Sequence, residues 1–174
     1  MKIVQPVSPP AHLRTVTDTT DAGPVVRQDD FEALYRAQWG SMVRLAWLLT
    51  GSREDAEDVV HDAFTQLHGR YHALDTPEAY LRVVVVNGAR ALHRRRAVER
   101  RRAAMEPEPY FDPEMEEIWR GVQALPARQR QVLVLRFYLD MSVEQTAEML
   151  GCPEGTVKSL AHRGLTHLHR RLDP

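Results

Sequence analysis

Apolar side chains recur every three or four positions through most of the chain, which is the period of an amphipathic α-helix. One apolar stripe runs from Phe31 to Leu49, and a second runs from Ala56 to Leu67. Thr50 and Gly51 interrupt the pattern between them. Ser52 then precedes Asp55 by three residues, a weak form of the capping box that starts many helices. The pattern therefore predicts two consecutive helices, the first beginning near Asp29.

A third helix is predicted to begin at Thr76-Pro77, because threonine is a good N-cap and proline suits the first turn. It contains VVVV (83–86), which by propensity alone favours a strand. The cap before this run and the Ala/Leu/Arg residues after it favour a helix instead. The preceding stretch HGRYHALD (68–75) has no apolar period and predicts a loop.

Further helices are predicted towards the C-terminus. A stripe from Met115 to Leu125 is followed by Pro126, which opens the next helix. Ser142 and Gln145 form a full capping box for a short helix that ends at Gly151, and Pro153 starts the last helix. Between the two helical regions, MEPEPYFDPEMEE (105–117) combines prolines with a run of acids, which predicts a linker.

These elements predict an all-α protein of two small helical domains on a short linker. The first 28 residues are rich in proline, threonine and valine without a period, so they predict a flexible tail. The predicted organisation is a tail at 1–28, a first domain at 29–100, a linker at 101–114 and a second domain at 115–174.

A helix-turn-helix is predicted within SVEQTAEMLGCPEGTVKSLAHRGLTHL (142–168). Ala147 is small enough for two helices to cross there, and Gly151 tolerates the positive φ of the turn. The second helix would then be held by its apolar residues and would present its polar residues to DNA. A helical hairpin that merely packs is the alternative. The outward-facing residues are Glu154, Lys158, Ser159, His162 and Arg163.

Positive charge is concentrated in ALHRRRAVERRR (91–102), which carries six arginines and one glutamate, a formal +5. The whole chain is −1, so the remaining residues together carry −6. Such a cluster provides sequence-independent affinity for phosphates, which falls steeply with salt. The alternative is a solvated helix end beside an arginine-rich linker.

Composition excludes several classes of protein. No apolar run approaches the roughly 20 residues that span a membrane, and the N-terminus lacks the apolar core of a secretory signal. The single cysteine, Cys152, rules out an internal disulfide framework. The eight histidines show no spacing typical of a metal site. We therefore expect a cytoplasmic protein without membrane insertion, metal or cofactor.

Longer motifs carry a resemblance to a known family. RLAWLLTGSREDAEDVVHDAF (44–64) with YLRVVVVNGARALHRRR (80–96) resembles region 2 of the extracytoplasmic-function sigma factors. LPARQRQVLVLRFYLDMSVEQTAEMLGCPEGTVKSLAHRGL (125–165) resembles region 4 of the same family. The resemblance implies a sigma factor that binds core RNA polymerase and directs promoter-specific transcription initiation. It implies no enzymatic activity.

The resemblance also implies partners and site residues. The clamp helices of the largest polymerase subunit would receive the acidic face of the second helix, Asp55, Asp58, His61 and Asp62, where His61 replaces the family's usual glutamine. The flap region of the polymerase and an anti-sigma factor are further expected partners. The downstream (−10) element and its backbone would be contacted by Tyr71, Thr76, Tyr80, Asn87, Arg90, Arg94, Arg95 and Arg96.

The upstream (−35) element would be read by the helix-turn-helix. Lys158, Ser159, His162 and Arg163 are the expected readers, with Thr156 and the Gly155 backbone on phosphate. The family usually has an arginine where this chain has Leu160, so one basic contact is missing and upstream recognition is expected to be weaker or shifted toward His162 and Arg163.

Rival functions remain open at this point. A helix-turn-helix operator-binding regulator would need a dimerisation element or a sensor domain. An enzyme would need a metal or nucleophile motif, and Cys152 lies in the turn of the helix-turn-helix. An inactive homologue that only sequesters a partner is the third, and Leu160 keeps it open.

Overall fold

Helices make up nearly all of the part of the chain that the computed structural model describes, which is residues 28–99 and 116–172. The predicted all-α fold with two helical domains is confirmed. The tail, apart from Gln28, and the linker lie outside the described residues, as do Arg100, Arg101 and Arg102. The helices are α1 (Gln28–Thr50), α2 (Arg53–His68), α3 (Pro77–Glu99), α4 (Glu116–Gln123), α5 (Ala127–Leu133), α6 (Val143–Leu150) and α7 (Glu154–Leu172).

The first domain is a three-helix unit in which α1, α2 and α3 pack on one another. The valine run lies in α3, as predicted, because Val85 and Val86 are fully buried in the core. This burial outweighs the weak β-propensity of valine. Close approach of α2 and α3 depends on Gly88, where a Cβ atom would lie 3.0 Å from Val59 Cγ1.

The connections of the first domain follow the sequence in part. Ser52 is the N-cap of α2, and its hydroxyl accepts a hydrogen bond from the Asp55 amide at 3.3 Å. The predicted loop at 68–75 is wrong in detail: α2 includes His68, and a 3₁₀ turn covers Tyr71–Ala73. Local hydrogen bonds to Leu67 and Arg70 carbonyls order this segment without an apolar period.

The second domain contains α4 to α7 and one irregular turn. Between α5 and α6 the chain forms a π-helical turn at Val134–Tyr138, which the apolar pattern did not predict. Gly164 brings α7 close to α5, because a Cβ atom there would lie 3.1 Å from Leu133. The buried Val132 and Leu135 complete this core.

The two domains pack against each other. The C-terminal half of α1 contacts α4 and α5, so the buried residues of both domains form one continuous apolar cluster. Within the described residues, no helix has the length and apolar character needed to cross a membrane.

Candidate DNA and polymerase interfaces

The helix-turn-helix is built by α6, its turn and α7. The capping box is present: the Gln145 amide donates to Ser142 Oγ at 3.0 Å, and the Ser142 amide donates to Gln145 Oε1 at 2.8 Å. Gly151 adopts the left-handed conformation at φ 60°, which glycine reaches without steric cost. Buried Ala147 and Val157 hold the two helices together.

The expected upstream readers lie together on the first half of α7, and all of them are exposed. Lys158 Nζ lies 3.6 Å from Glu154 Oε2, an exposed ion pair that a phosphate can replace at little cost. Arg163 Nε donates to the Ser159 carbonyl oxygen at 3.2 Å. The exposed set is Gly155, Thr156, Lys158, Ser159, His162 and Arg163.

Leu160 packs against the core of the second domain. Both Leu160 and Ala161 are partly buried, in keeping with a role in holding α7 against α6. The position where the family usually has arginine is therefore at the edge of the exposed surface. The expected weakening of upstream recognition stays a prediction.

The residues expected at the downstream element divide into exposed and buried ones. Thr76, the residue before α3, is exposed. Tyr71, in the 3₁₀ turn that precedes α3, is partly exposed, with its ring 5.4 Å from the Phe31 ring. Burial, with the carboxylates of Asp30 and Glu78 nearby, raises the pKa of Tyr71 above its usual value. Tyr80, by contrast, is 4% exposed and its ring lies in the core.

Farther along α3, the arginines differ in environment. The Arg90 guanidinium donates to the Asn87 side chain at 3.3 Å and to the carbonyl oxygens of Met149 and Leu150 in the second domain. Burial, then the charges of Arg94 and Arg128, lower the pKa of Arg90 below its usual value. Arg94 and Arg95 are exposed. The side chain of Arg96 lies outside the described residues.

The acidic surface of α2 is smaller than the sequence suggests. Asp58, His61 and Asp62 are exposed and adjacent, whereas Asp55 is 6% exposed. The expectation that Asp55 shares their polar face is wrong, because the first turn of α2 places it on the buried stripe with Ala56. A shallow cavity of about 310 Å³ adjoins His61, lined also by Phe31, Tyr35, Phe64, Thr65 and His68.

A second surface, on the C-terminal domain, was missed by sequence reasoning. It is an apolar groove with a cavity of about 200 Å³. Phe137 is 61% exposed there, which is unusual for so large an apolar side chain. The stripe from Met115 to Leu125 gave part of the signal, but the π-helical turn completes the groove. Its lining is Ile118, Trp119, Val122, Leu133, Val134, Phe137, Tyr138, Leu165 and Leu168.

Metal ligation has no geometric basis in the part of the chain described here. No group of three or more His, Cys, Asp or Glu side chains converges among residues 28–99 and 116–172. Cys152 is a free thiol at the turn of the helix-turn-helix.

The fold and these surfaces define a helical DNA-binding transcription protein, and comparisons with known proteins specify it. The family model "Sigma-70 region 2" matches residues 34–99, and "Sigma-70, region 4" matches residues 115–168. RNA polymerase sigma-E factor of Streptomyces coelicolor is 32% identical over 152 residues, covering 82% of this chain and 86% of that protein. ECF RNA polymerase sigma factor SigM of Mycobacterium tuberculosis is 30% identical over 150 residues, covering 82% and 76%.

Among solved structures, the Bartonella quintana sigma factor RpoE, in complex with the anti-sigma factor NepR, has the same fold. Its TM-score is 0.63 at 22% identity, with 83% of this chain and 97% of that chain covered. The chain belongs to the extracytoplasmic-function sigma factors. It is an alternative sigma factor that binds core RNA polymerase and directs promoter-specific transcription initiation.

Proposed function

We propose that the exposed first half of α7 reads the upstream promoter element in the major groove. The observation that carries this proposal is the exposure of all six expected contacts on one capped helix-turn-helix. The exposed N-terminal end of α7 is suited to phosphate, and the side chains of Lys158, His162 and Arg163 are suited to base edges or to the backbone.

The downstream element is assigned to the segment that leads into α3, from the 3₁₀ turn to Thr76, and to the basic end of α3. Tyr71 and Thr76 supply a partly exposed ring and a hydroxyl, as an extruded base requires. Tyr80 supports this site from the core instead of contacting DNA. Arg94 and Arg95, with Arg96, bind phosphates of the adjoining duplex.

Core polymerase is assigned to two surfaces of different chemistry. The exposed carboxylates of Asp58 and Asp62, with His61 beside them, suit the basic clamp helices of the largest subunit. The apolar groove around Phe137 suits an apolar segment of the flap region. We thus assign one polymerase-binding surface to each domain, with the first domain at 29–100 and the second at 115–174.

Regulation and location follow from the same assignment. RpoE of Bartonella quintana was solved with an anti-sigma factor, and we assign a partner of that kind to this chain. Such a partner would act by covering the polymerase-binding surfaces. The protein acts in the cytoplasm, where the polymerase works, and its role is regulatory without a catalytic step of its own.

The test is promoter-specific initiation in a purified system. Core RNA polymerase, the protein and a genome-derived fragment library are combined, and the run-off transcripts are sequenced. Discrete start sites that share an upstream and a downstream motif are expected. Lys158→Ala and Arg163→Ala should weaken the upstream motif while leaving the downstream motif in place. Transcripts unchanged by both substitutions would contradict the assignment of α7.

The acidic surface is tested by reversing its charge. The double variant Asp58→Lys, Asp62→Lys should bind core polymerase about tenfold or more weakly, because like charges across an interface cost several kcal/mol. Binding is measured by competition for labelled core, without DNA. The matched control is Glu144→Lys, which reverses an exposed charge in the second domain. Equal affinity of all three proteins would remove α2 from the polymerase interface.

A further inference from the structure

Two arginines cross between the domains in opposite directions, and each binds the C-terminal end of a helix in the other domain. Arg90 of α3 donates to the Met149 and Leu150 carbonyl oxygens at the end of α6, the latter at 2.8 Å. Arg130 of α5 donates to the Leu49 carbonyl oxygen at the end of α1, at 3.1 Å. Helix C-termini carry partial negative charge and unsatisfied carbonyls, so guanidinium groups are favoured there.

Gln123 adds a third contact across the same boundary. Its side-chain Nε2 donates to the Trp47 carbonyl oxygen at 2.8 Å. Its main-chain carbonyl oxygen accepts a hydrogen bond from Arg130 Nη1 at 2.7 Å. Within the first domain, His93 Nε2 lies 2.5 Å from the Leu49 carbonyl oxygen. Gly51 leaves room for Gln123, since a Cβ atom at Gly51 would lie 2.9 Å from Gln123 Oε1.

With the two domains packed together, the protein is too short to contact both promoter elements at once. Upstream and downstream elements centred about 25 base pairs apart are separated by roughly 85 Å of B-form DNA, at about 3.4 Å per pair. A compact body of about 130 residues has a radius of gyration of roughly 14 Å and a diameter of roughly 36 Å. The domains must therefore separate before α7 and α3 can occupy both elements.

Arg90 has two mutually exclusive uses. It lies on the helix whose basic end is assigned to promoter phosphates, one turn before Arg94, yet its guanidinium is directed at α6. A guanidinium that donates to the Met149 and Leu150 carbonyls has few donors left for a phosphate. Closure thus occupies a group that DNA would otherwise use.

We propose that Arg90, Gln123 and Arg130 form an interdomain latch that holds the free protein closed, and that opening the latch limits promoter engagement. The effect on promoter engagement rests on the proposed function, whereas the closed state of the free protein does not. The latch makes closure a property of this chain itself, before any anti-sigma partner is bound. Promoter DNA and polymerase then shift the population toward the open form by binding it preferentially.

The first experiment measures closure without polymerase or DNA. Small-angle scattering of the full chain is recorded for the wild type, Gln123→Ala, Arg90→Ala and Arg94→Ala. Loss of the charge-assisted contacts of Arg90 should shift the closed-to-open ratio about tenfold or more, and loss of the neutral Gln123 contact should shift it several-fold. Full opening on a flexible linker raises the radius of gyration of two such domains by about 5 Å. Arg94→Ala, which loses an exposed arginine of α3 outside the latch, should scatter like the wild type.

Circular dichroism confirms that each variant is folded, and Gln123→Ala keeps the test valid where Arg90→Ala loses stability. An extended wild type, or unchanged scattering of both latch variants, would overturn the latch. The second experiment measures initiation at limiting core polymerase. Gln123→Ala should initiate several-fold faster than wild type, because it opens the protein without removing an assigned DNA contact. Opening without faster initiation would overturn the claim that the latch limits promoter engagement. A wild type that fails to initiate would instead count against the proposed function.

Discussion

At the scale of single residues, the arginines of α3 show how one side-chain type takes different roles along a helix. Arg90 is partly buried and is bound by main-chain carbonyls of the other domain. Arg94, one turn later, is exposed, as is Arg95. Exposed arginines near a duplex act through counterion release, whereas a partly buried one fixes a geometry.

Removal of the exposed arginines should change the salt dependence of promoter binding. For the double variant Arg94→Ala, Arg95→Ala, the slope of log K against log salt should become shallower by about 2, since each phosphate contact contributes about 0.9. Binding of the assembled polymerase to a promoter fragment is measured at several salt concentrations. Arg82→Ala, which removes an exposed arginine nearer the start of α3, is the control and should leave the slope unchanged. A slope unchanged in the double variant would exclude phosphate contacts at these two positions.

Burial of individual polar residues was the part of the site that the sequence predicted least well. Asp55 and Tyr80 match family positions, but both side chains are buried. Helical period alone places Asp55 near the edge of the apolar stripe of α2, and the packing of neighbouring helices decides which side of that edge it takes. The exposed contacts on α7 were predicted because the turn at Gly151 fixes the orientation of that helix.

At the scale of elements, close helix packing through glycine has a measurable consequence. A Cβ atom at Gly164 would lie 3.1 Å from two atoms of Leu133 and 3.4 Å from Gln129 Cβ. Gly164→Ala should therefore lower the free energy of unfolding by about 1–2 kcal/mol, because overpacking outweighs the gain in helix propensity.

The control for this substitution lies on the same helix. A Cβ atom at Gly155 would meet nothing within 4 Å, so Gly155→Ala should leave stability unchanged or raise it by up to about 1 kcal/mol. Denaturant unfolding of both variants gives the comparison. Equal stability of the two variants would show that Leu133 yields without cost.

Element boundaries were predictable where the chain carries local chemistry. Ser142 with Gln145, and Gly151 at the other end, marked α6 to the residue, because capping depends on side chains within four positions. The π-helical turn at Val134–Tyr138 carries no such local mark. An extra residue per turn is accommodated by packing and by distant hydrogen bonds, which a single sequence does not display.

At the scale of the whole molecule, the apolar groove on the second domain provides a test of polymerase docking. Phe137→Ser should weaken core binding about tenfold, because a large exposed aromatic side chain is a typical interface anchor. Its 61% exposure means that the free energy of unfolding should change by less than about 0.5 kcal/mol. Ala124→Ser, at an exposed site outside the groove, is the control. Loss of stability in place of affinity would make Phe137 a structural residue.

The contact between the domains could not be predicted from the sequence. The motifs place each helix within its domain, but they do not indicate which carbonyl oxygens accept from Arg90 and Arg130. The acceptors at Leu150 and Leu49 lie 60 and 81 residues away in the sequence. Such contacts depend on the geometry of helix ends after folding. The number of helical domains and the order of the helices were predicted from periodicity together with capping residues and the proline-rich, acidic linker.

The chemistry of the latch acceptors has an evolutionary consequence. Trp47, Leu49, Met149 and Leu150 contribute main-chain oxygens, and no side-chain replacement at those positions deletes an acceptor. Inherited variation can therefore retune closure mainly through the donors, at Arg90, Gln123 and Arg130. Substitutions at these three positions would therefore give a more readily activated factor, while the helix ends that accept the hydrogen bonds remain the same.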